Sequence, residues 1–203
     1  MDRSWTQAGI DEETFETLAQ DLPASRLWSM LLAVMERRAQ SRGPSTLADQ
    51  YARDGFTQPS YIDQRTLVAL DGHLLAAADG FEAIELSPLA PLGVCSVVGP
   101  TSQNKIVSAL RGTEVVSDPT NVLALECAGR LKKSPDHIVK LATCHRCVRA
   151  QELPKQPGFA PHFRIFCLAS AGREQKDQGF VVDALIEHIS IMLDALERLE
   201  RHG

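Results

Sequence analysis

Two apolar segments in the C-terminal half of the chain, separated by a stretch rich in proline, constrain the fold more than any other sequence feature. Residues 137–149 and 161–169 have the length and the β-branched, aromatic and cysteine content of buried strands. The stretch 151–161 between them holds three prolines and one glycine, a composition typical of loops. The sequence therefore predicts an antiparallel pair of strands joined by a long loop.

Helices and short strands surround this pair. Apolar residues recur at helical spacing in five segments, whose predicted bounds are 11–20, 25–40, 63–78, 118–131 and 177–198. Short strands are predicted at 81–86, 105–110 and 113–116, the last two joined as a hairpin at Arg111-Gly112. A loop or linker is predicted at 47–60 and a loop at 89–104. Such an order is typical of an α+β fold with an antiparallel β-sheet flanked by helices. The predicted organisation is an N-terminal helical segment and linker over residues 1–60 and a core over residues 61–203, within one compact domain.

The composition narrows the possible partners. The chain has 203 residues, 44% of them apolar, and a net charge of −5 without a stripe of basic residues, which argues against nucleic-acid binding. It contains no stretch of roughly 20 apolar residues, so no membrane span is predicted. The first residues lack the pattern of a signal peptide, and the five cysteines are odd in number and irregularly spaced. We therefore expect a cytoplasmic protein with reduced thiols.

Three segments, in this order, resemble the sequence motifs of the class II aminoacyl-tRNA synthetases. Residues 63–88, a helix followed by a strand and Pro88, are similar to motif 1, the dimerisation element of that family. Residues 113–128 resemble the strand and helix start that hold the amino-acid substrate. The family usually reads Arg-Pro-Glu/Asp-x-Thr in that segment, where this chain has Thr113-Glu114. Residues 144–166 resemble motif 2, which usually reads Phe-Arg-x-Glu, a loop, and then His/Arg-x-x-x-Phe. The resemblance covers about residues 63–200.

The motif 2 resemblance implies roles for three residues, and strand alternation adds a fourth candidate. Arg146 would hold the α-phosphate of ATP, His162 would lie near the outer phosphates, and Phe166 would stack on adenine. His162, Arg164 and Phe166 alternate along their predicted strand and so share one face, which places Arg164 beside the other candidates. A guanidinium offers paired donors to phosphate, and an aromatic face suits a base ring.

The remaining implications concern the amino-acid site, the cofactor and the partner. Thr113 and Glu114 would line the amino-acid site, with Glu114 binding an ammonium group. The cofactor implied by the resemblance is ATP with Mg²⁺. The partners implied are a small ligand, either an amino acid or a nucleotide, and a second copy of the chain bound through residues 63–88.

Departures from the family pattern argue against tRNA charging. Val148 stands where motif 2 has its glutamate, and the acidic residue usual beyond the closing phenylalanine is replaced in 167–170 by Cys-Leu-Ala-Ser. No glycine-rich motif 3 with its second ATP-binding arginine is found, and no anticodon-binding domain. We therefore predict a degenerate, regulatory relative that binds an amino-acid-like or nucleotide ligand.

Two other functions remain open from the sequence. One is an ATP-dependent ligase that activates a carboxylate for an acceptor other than tRNA, with Arg149, Arg164, Arg173 or a partner chain replacing the missing arginine. The other is an interaction module without a ligand.

The Cys144-x-x-Cys147 spacing, with histidines nearby, raises the separate possibility of a zinc site. On a strand these two thiols point to opposite faces, and no second such pair exists, so two buried thiols are the favoured interpretation and no metal site is predicted.

Overall fold

The computed structural model describes residues 4–152 and 159–202 of the chain. Its helices are α1 Ser4–Gln7, α2 Glu12–Glu16, α3 Ala24–Gln40, α4 Pro44–Arg53, α5 Gln64–Ala77, α6 Pro119–Lys133 and α7 Gly179–His202. Its strands are β1 Glu82–Ala83, β2 Leu89–Pro91, β3 Ser108–Ala109, β4 Thr113–Val115, β5 Val139–Val148 and β6 His162–Ala171. Part of the loop predicted over 151–161, residues 153–158, lies outside the described residues. Within the described part of the chain, no helix has both the length and the apolarity to cross a bilayer.

The predicted antiparallel pair is confirmed and forms the centre of the fold. β5 and β6 pair along ten residues each, from Val139 opposite Ala171 to Val148 opposite His162. β1 lies on the other edge of β5 and runs parallel to it, which gives the strand order β1-β5-β6. The α+β prediction, an antiparallel pair flanked by helices, is therefore confirmed, with the addition of one short parallel strand.

Because side chains alternate along a strand, the β5–β6 pair has two faces, and each face has a different cover. Helix α6 covers the first, here called the α6 face, and helices α5 and α7 cover the second, here called the α5–α7 face. The α6 face consists of Val139, Leu141, Thr143, His145 and Cys147 of β5 with Phe163, Ile165, Cys167, Ala169 and Ala171 of β6. The α5–α7 face consists of Lys140, Ala142, Cys144, Arg146 and Val148 with His162, Arg164, Phe166, Leu168 and Ser170.

The main apolar core lies on the α6 face. Leu123 and Cys127 of α6 are buried against Leu141 and Cys167 of the strands. The helix begins where the sequence predicts, because the Asp118 carboxylate accepts a hydrogen bond of 3.0 Å from the amide of Thr120 and proline occupies the first helical position. This face is therefore held by burial of apolar surface, worth roughly 25 cal/mol per Å² removed from water.

A smaller core lies on the α5–α7 face. Ala78 and Phe81, just after α5, are buried against Ala142 of β5, and Ile191 of α7 packs against the same cluster. Helix α5 matches its predicted bounds, and the Asp63 carboxylate caps it by accepting the amide of residue 65 at 2.8 Å. Both helices are thus fixed against the same side of the strand pair.

The start of α7 differs from the prediction by two residues. Asp177 and Gln178 have positive φ angles of 58° and 60°, a left-handed conformation that cannot begin an α-helix. The helix therefore begins at Gly179, and the Glu174 carboxylate accepts the amide of Phe180 at 3.1 Å.

The predicted strand 81–86 is ordered as a strand only at Glu82 and Ala83. The amide of Ile84 still donates to the carbonyl of Ala142 at 2.9 Å, after which the chain leaves the edge of β5. Leu86 is nevertheless buried on the α6 face. The sequence therefore placed a strand here correctly but overestimated the length of the hydrogen-bonded ladder.

A second sheet has the order β2-β4-β3. The predicted hairpin is confirmed, with shorter strands and a turn at Arg111-Gly112 where both φ angles are positive, 77° and 72°. A Cβ atom on Gly112 would lie 2.4 Å from the ring of Trp28 in α3, so glycine is required there. Strand β2 was predicted as loop; as an edge strand it tolerates Pro91, whose missing amide proton is not needed for pairing.

The loop predicted over 47–60 is wrong in its first half, which belongs to helix α4. Gly43 precedes Pro44 at the first helical position, a favourable helix start that the downstream signals Gly55 and Pro59 obscured. Residues after the helix turn back toward the strands, and the carbonyl of Gln58 lies 2.7 Å from the ring of His162. The N-terminal segment therefore contacts the core, and the boundary near residue 60 stays a prediction.

Candidate functional site

Four of the six predicted site residues lie together on the α5–α7 face. Arg146 of β5 is directly opposite Arg164 of β6, with His162 and Phe166 two residues to either side along β6. This pairing follows from the register of the antiparallel ladder and confirms that the two motif 2 segments lie side by side. The roles of these residues remain predictions.

A hydrogen-bonded chain fixes the Arg146 side chain. Its Nη1 lies 2.8 Å from Nδ1 of His162, and Nε2 of His162 lies 2.7 Å from the carbonyl oxygen of Gln58. A guanidinium can only donate and a carbonyl can only accept, so Nδ1 of His162 accepts from Arg146 and Nε2 donates to Gln58. His162 is buried, with both ring nitrogens in use, and it positions the arginine.

Arg146 has no acidic partner, which sets it apart from its neighbours. Arg164 forms an ion pair with Asp71 of α5, with nitrogen–oxygen distances of 2.5 and 2.8 Å. Arg149 lies 3.5 Å from the carboxylate of Asp118 and donates to the carbonyl of Ser117 at 3.1 Å. Across residues 4–152 and 159–202, no carboxylate lies within 4.0 Å of the half-buried Arg146 guanidinium. This side chain retains donors and a positive charge for an anion.

Phe166 lies on the same face but belongs to the apolar core. Its ring packs with Leu168 against the cluster of Ala78, Phe81 and Ala142, beneath helices α5 and α7. The ring is partly buried by these contacts. The adenine-stacking role implied for Phe166 stays a prediction.

The Glu114 side chain lies on the side of the β5–β6 pair opposite to Arg146. Val116, two residues along and on the same side of its strand, packs with Cys147 of the α6 face. The structure therefore does not bring Glu114 and Arg146 into one site, because Cys147 and Arg146 are adjacent residues with opposite orientations.

The Glu114 carboxylate is fully buried and already has its partners. It accepts hydrogen bonds from the amides of Gly93 and Cys95, at 2.7 and 3.0 Å, and from the Gln103 side chain at 2.9 Å. Burial raises the pKa of Glu114, but the hydrogen bonds from Gln103, Gly93 and Cys95 together outweigh it, so the pKa is lowered. Glu114 thus anchors the 93–103 loop, and it is not placed to bind an ammonium group.

Thr113 is half-buried, and its hydroxyl donates to the carbonyl of Leu110 at 3.2 Å. The side chain therefore stabilises the hairpin turn. The pair Thr113-Glu114, singled out by the resemblance, is occupied by contacts within the chain.

Sequence reasoning missed three buried polar groups on the side of α6. The hydroxyls of Ser117 and Thr143 and Nε2 of His145 have no hydrogen-bond partner among the described residues. Burial lowers the pKa of His145, which keeps the ring neutral. Sequence reasoning also missed Asp71 and Gln58, because nothing in their local sequence indicates that α5 and the 54–60 segment reach strands β5 and β6. Only the spatial arrangement identifies them.

The two cysteines of the Cys144-x-x-Cys147 spacing lie on opposite faces of β5. Burial raises the pKa of both thiols to about 12, so they stay protonated and are poor metal ligands. In the described part of the chain, no group of three or more His, Cys, Asp and Glu side chains is placed to hold a metal ion.

The residues present do not fit an ATP–Mg²⁺ site of the kind that the resemblance implies. Such a site needs an accessible aromatic ring beside Arg146 and a carboxylate two residues after it. The ring of Phe166 is partly buried against the apolar core, and Val148 supplies no oxygen ligand. What remains on this face is a single unpaired guanidinium with a histidine that orients it.

Comparison with known proteins supports the fold. No family model matches the sequence, and no curated protein matches it. A solved structure described as an ATP phosphoribosyltransferase regulatory subunit/histidyl-tRNA synthetase from Bacillus halodurans C superposes with a TM-score of 0.55 at 20% identity, covering 70% of this chain and 36% of that one.

Two further solved structures also superpose on this chain and support the same fold. A histidine–tRNA ligase subunit from Alicyclobacillus acidocaldarius gives a TM-score of 0.52 at 17% identity, with 68% of this chain and 40% of that chain covered. A pyrrolysyl-tRNA synthetase from Desulfitobacterium hafniense gives 0.50 at 12% identity, with 74% and 51% covered. The chain spans between about a third and a half of the length of these proteins. It has a fold like the class II synthetase catalytic core, as the sequence motifs predicted.

Proposed function

We propose that this chain is a degenerate, regulatory relative of the class II synthetases that binds the anionic group of a small ligand at Arg146. The observation that carries the proposal is the Arg146 guanidinium, oriented by His162 and paired with no described carboxylate. The ligand is an amino-acid-like molecule or a nucleotide. Its carboxylate or phosphate would accept the paired donors of the guanidinium.

Two departures support binding without tRNA charging. Position 148 is valine, and the Glu114 carboxylate is occupied by the 93–103 loop. Each removes a group that the family uses for ATP or the amino acid. The description of one fold neighbour as a regulatory subunit supports a regulatory role in this chain as well.

The proposal includes a cytoplasmic location and a homodimer. All five cysteines are free and buried, which suits a reducing compartment. The resemblance places the dimer contact at residues 63–88. Among the described large apolar side chains, this segment exposes Val68, at 64% of its surface, and the segment therefore offers little apolar area for a dimer contact.

Calorimetric titration tests the ligand. ATP and each of the 20 amino acids would be titrated separately into the full chain, which distinguishes a phosphate source from a carboxylate source. We expect one class to bind, and Arg146→Met to weaken that binding by at least 10-fold, since a charged hydrogen bond contributes roughly 1.5–3 kcal/mol. Arg173→Met is the matched control, because Arg173 is an exposed arginine elsewhere, paired with Asp136.

Two calorimetric results would count against the proposal. Binding by none of these compounds would remove its basis. Binding that Arg146→Met and Arg173→Met reduce equally would move the site away from Arg146.

The structure does not favour the alternative of an ATP-dependent carboxylate-activating ligase. The three arginines that could replace the missing one are already paired, Arg149 with Asp118, Arg164 with Asp71 and Arg173 with Asp136. We therefore expect no ATP–pyrophosphate exchange with any amino acid. A signal above background, lost in Arg146→Met, would establish the ligase instead.

A further inference from the structure

Helix α7 is apolar on two sides, but the described residues of the chain cover only one of them. Ile191 and Ala195 face the core, and Glu187 and His188 contact the strands through Lys140 and Ser170. On the outer side, eight large apolar side chains between residues 181 and 196 each expose 40% to 59% of their surface. A helix that is apolar all round normally has a cover on every side.

The outer side chains form one continuous stripe, here called the α7 stripe. Its centre line runs through Val182, Ile186, Ile189, Leu193 and Leu196, at alternating spacings of four and three residues. This is the repeat by which one helix packs along another. The surface that fits the α7 stripe is therefore another apolar helix.

The area of the α7 stripe matches what a stable dimer needs. Eight side chains, each about half exposed, offer on the order of 700 Å² of apolar surface, close to the roughly 800 Å² that each partner contributes to a standard interface. Monomeric proteins seldom expose an apolar patch larger than about 300–600 Å². The stripe therefore requires a cover of its own size.

The stripe is also complementary to itself. Counted from Ile189, stripe residues occur three and seven positions before it and four and seven positions after it. A two-fold axis near Ile189 would therefore place Val182 against Leu196 of the other copy. Acidic residues beside the stripe are paired within the helix, Asp194 with Arg198 and Glu197 with Arg201, which limits repulsion between copies.

We infer that the α7 stripe is the interface between two copies of this chain, with Ile189 at its centre. This deepens the homodimer part of the proposed function and moves the contact from residues 63–88 to the C-terminal helix. Ligand binding at Arg146 does not depend on it, since the stripe faces away from the strand pair.

Light scattering on the full chain tests the inference. We expect the wild type to have twice the chain mass of 22.2 kDa at micromolar concentration. Ile189→Glu should raise the dissociation constant by about 100-fold or more, because it places two like charges in an apolar contact. The control Leu125→Glu changes an apolar residue of α6 that is also exposed, at 41%, and should leave the dimer intact.

A complementary variant keeps the test independent of either single substitution. Ile189→Lys should also be monomeric, and mixing it with Ile189→Glu should restore a dimer, because opposite charges then meet at the two-fold axis. Circular dichroism must show that each variant is folded; Ile189 is half-exposed, so no core contact is lost.

The remaining outcomes separate the two proposals. A wild-type monomer at 100 micromolar would overturn both the α7 interface and the proposed homodimer. A dimer that Ile189→Glu does not weaken would overturn the α7 interface alone. Calorimetry at Arg146 would be informative in either case, because it reports ligand binding independently of mass.

Discussion

The surroundings of Glu114 and of Arg146 make an instructive comparison, since both residues match synthetase motifs and both carry a charge. Glu114 is completely buried and accepts three hydrogen bonds from residues 93–103. Arg146 is half-buried and is held by one histidine, and no described carboxylate lies beside it. Glu114 therefore stabilises the fold, whereas the Arg146 guanidinium keeps hydrogen-bond donors that no described carboxylate accepts.

This difference has a physical origin in the cost of burying a charge. A fully buried carboxylate must have hydrogen-bond donors around it, and the loop amides of Gly93 and Cys95 supply them. Arg146 keeps contact with solvent and so needs no fixed counter-charge. A residue that matches a ligand-binding motif in sequence can thus have a structural role, when a loop of the same chain makes the contacts that a ligand would make.

The largest expected effect comes from removing the carboxylate at position 114. Glu114→Ala should lower the free energy of unfolding by about 3 kcal/mol, because it leaves two buried amides and the Gln103 side chain without acceptors. Urea unfolding measures this loss. Glu114→Gln should lose less, since one oxygen acceptor remains. An unchanged midpoint in Glu114→Ala would mean that the 93–103 loop does not depend on this residue.

A pH titration of stability sharpens the same contrast. The folded-state pKa of Glu114 lies below its ordinary value of 4.5, so the stabilisation is fully present above that value and is lost as the pH falls through the lowered pKa. The difference in unfolding free energy between wild type and Glu114→Gln should therefore be constant from pH 7 to about pH 5.5 and shrink below pH 4.5. Other acidic groups are common to both proteins and cancel. A difference that does not change down to pH 3 would contradict this account.

The smallest effect should come from Arg146. Arg146→Met should cost about 1 kcal/mol or less, because it removes only the donor to Nδ1 of His162. Arg164→Met, on the same face, should cost about 2 kcal/mol, since it leaves the largely buried Asp71 carboxylate unpaired. Thermal or urea unfolding of both variants checks the order. A larger loss for Arg146→Met than for Arg164→Met would show that Arg146 is structural, like Glu114.

Features with a local cause could be predicted from the sequence. Three of them depend on residues close together in the chain: the helix start at Asp118-Pro119, the cap at Asp63, and the alternation of side chains along β5 and β6. The same alternation predicted that His162, Arg164 and Phe166 share a face, which the ladder confirms. Helix α4 and strand β2 were missed because glycine and proline signals nearby dominated the local pattern.

The site was harder to predict, because its environment comes from distant segments. Gln58 bonds His162 across 104 positions, and Asp71 pairs with Arg164 across 93. Phe166 is partly buried because α5 and α7 pack on the face on which it lies. No local pattern encodes these contacts.

The sequence by itself determined the elements, the strand pair and the order of synthetase-like segments, because these follow from periodicity and capping over a few residues. The tertiary structure alone decided which charged groups are satisfied. It buried the Glu114 carboxylate against the 93–103 loop and placed no described carboxylate beside Arg146. The partners of a buried charge are set by packing in three dimensions.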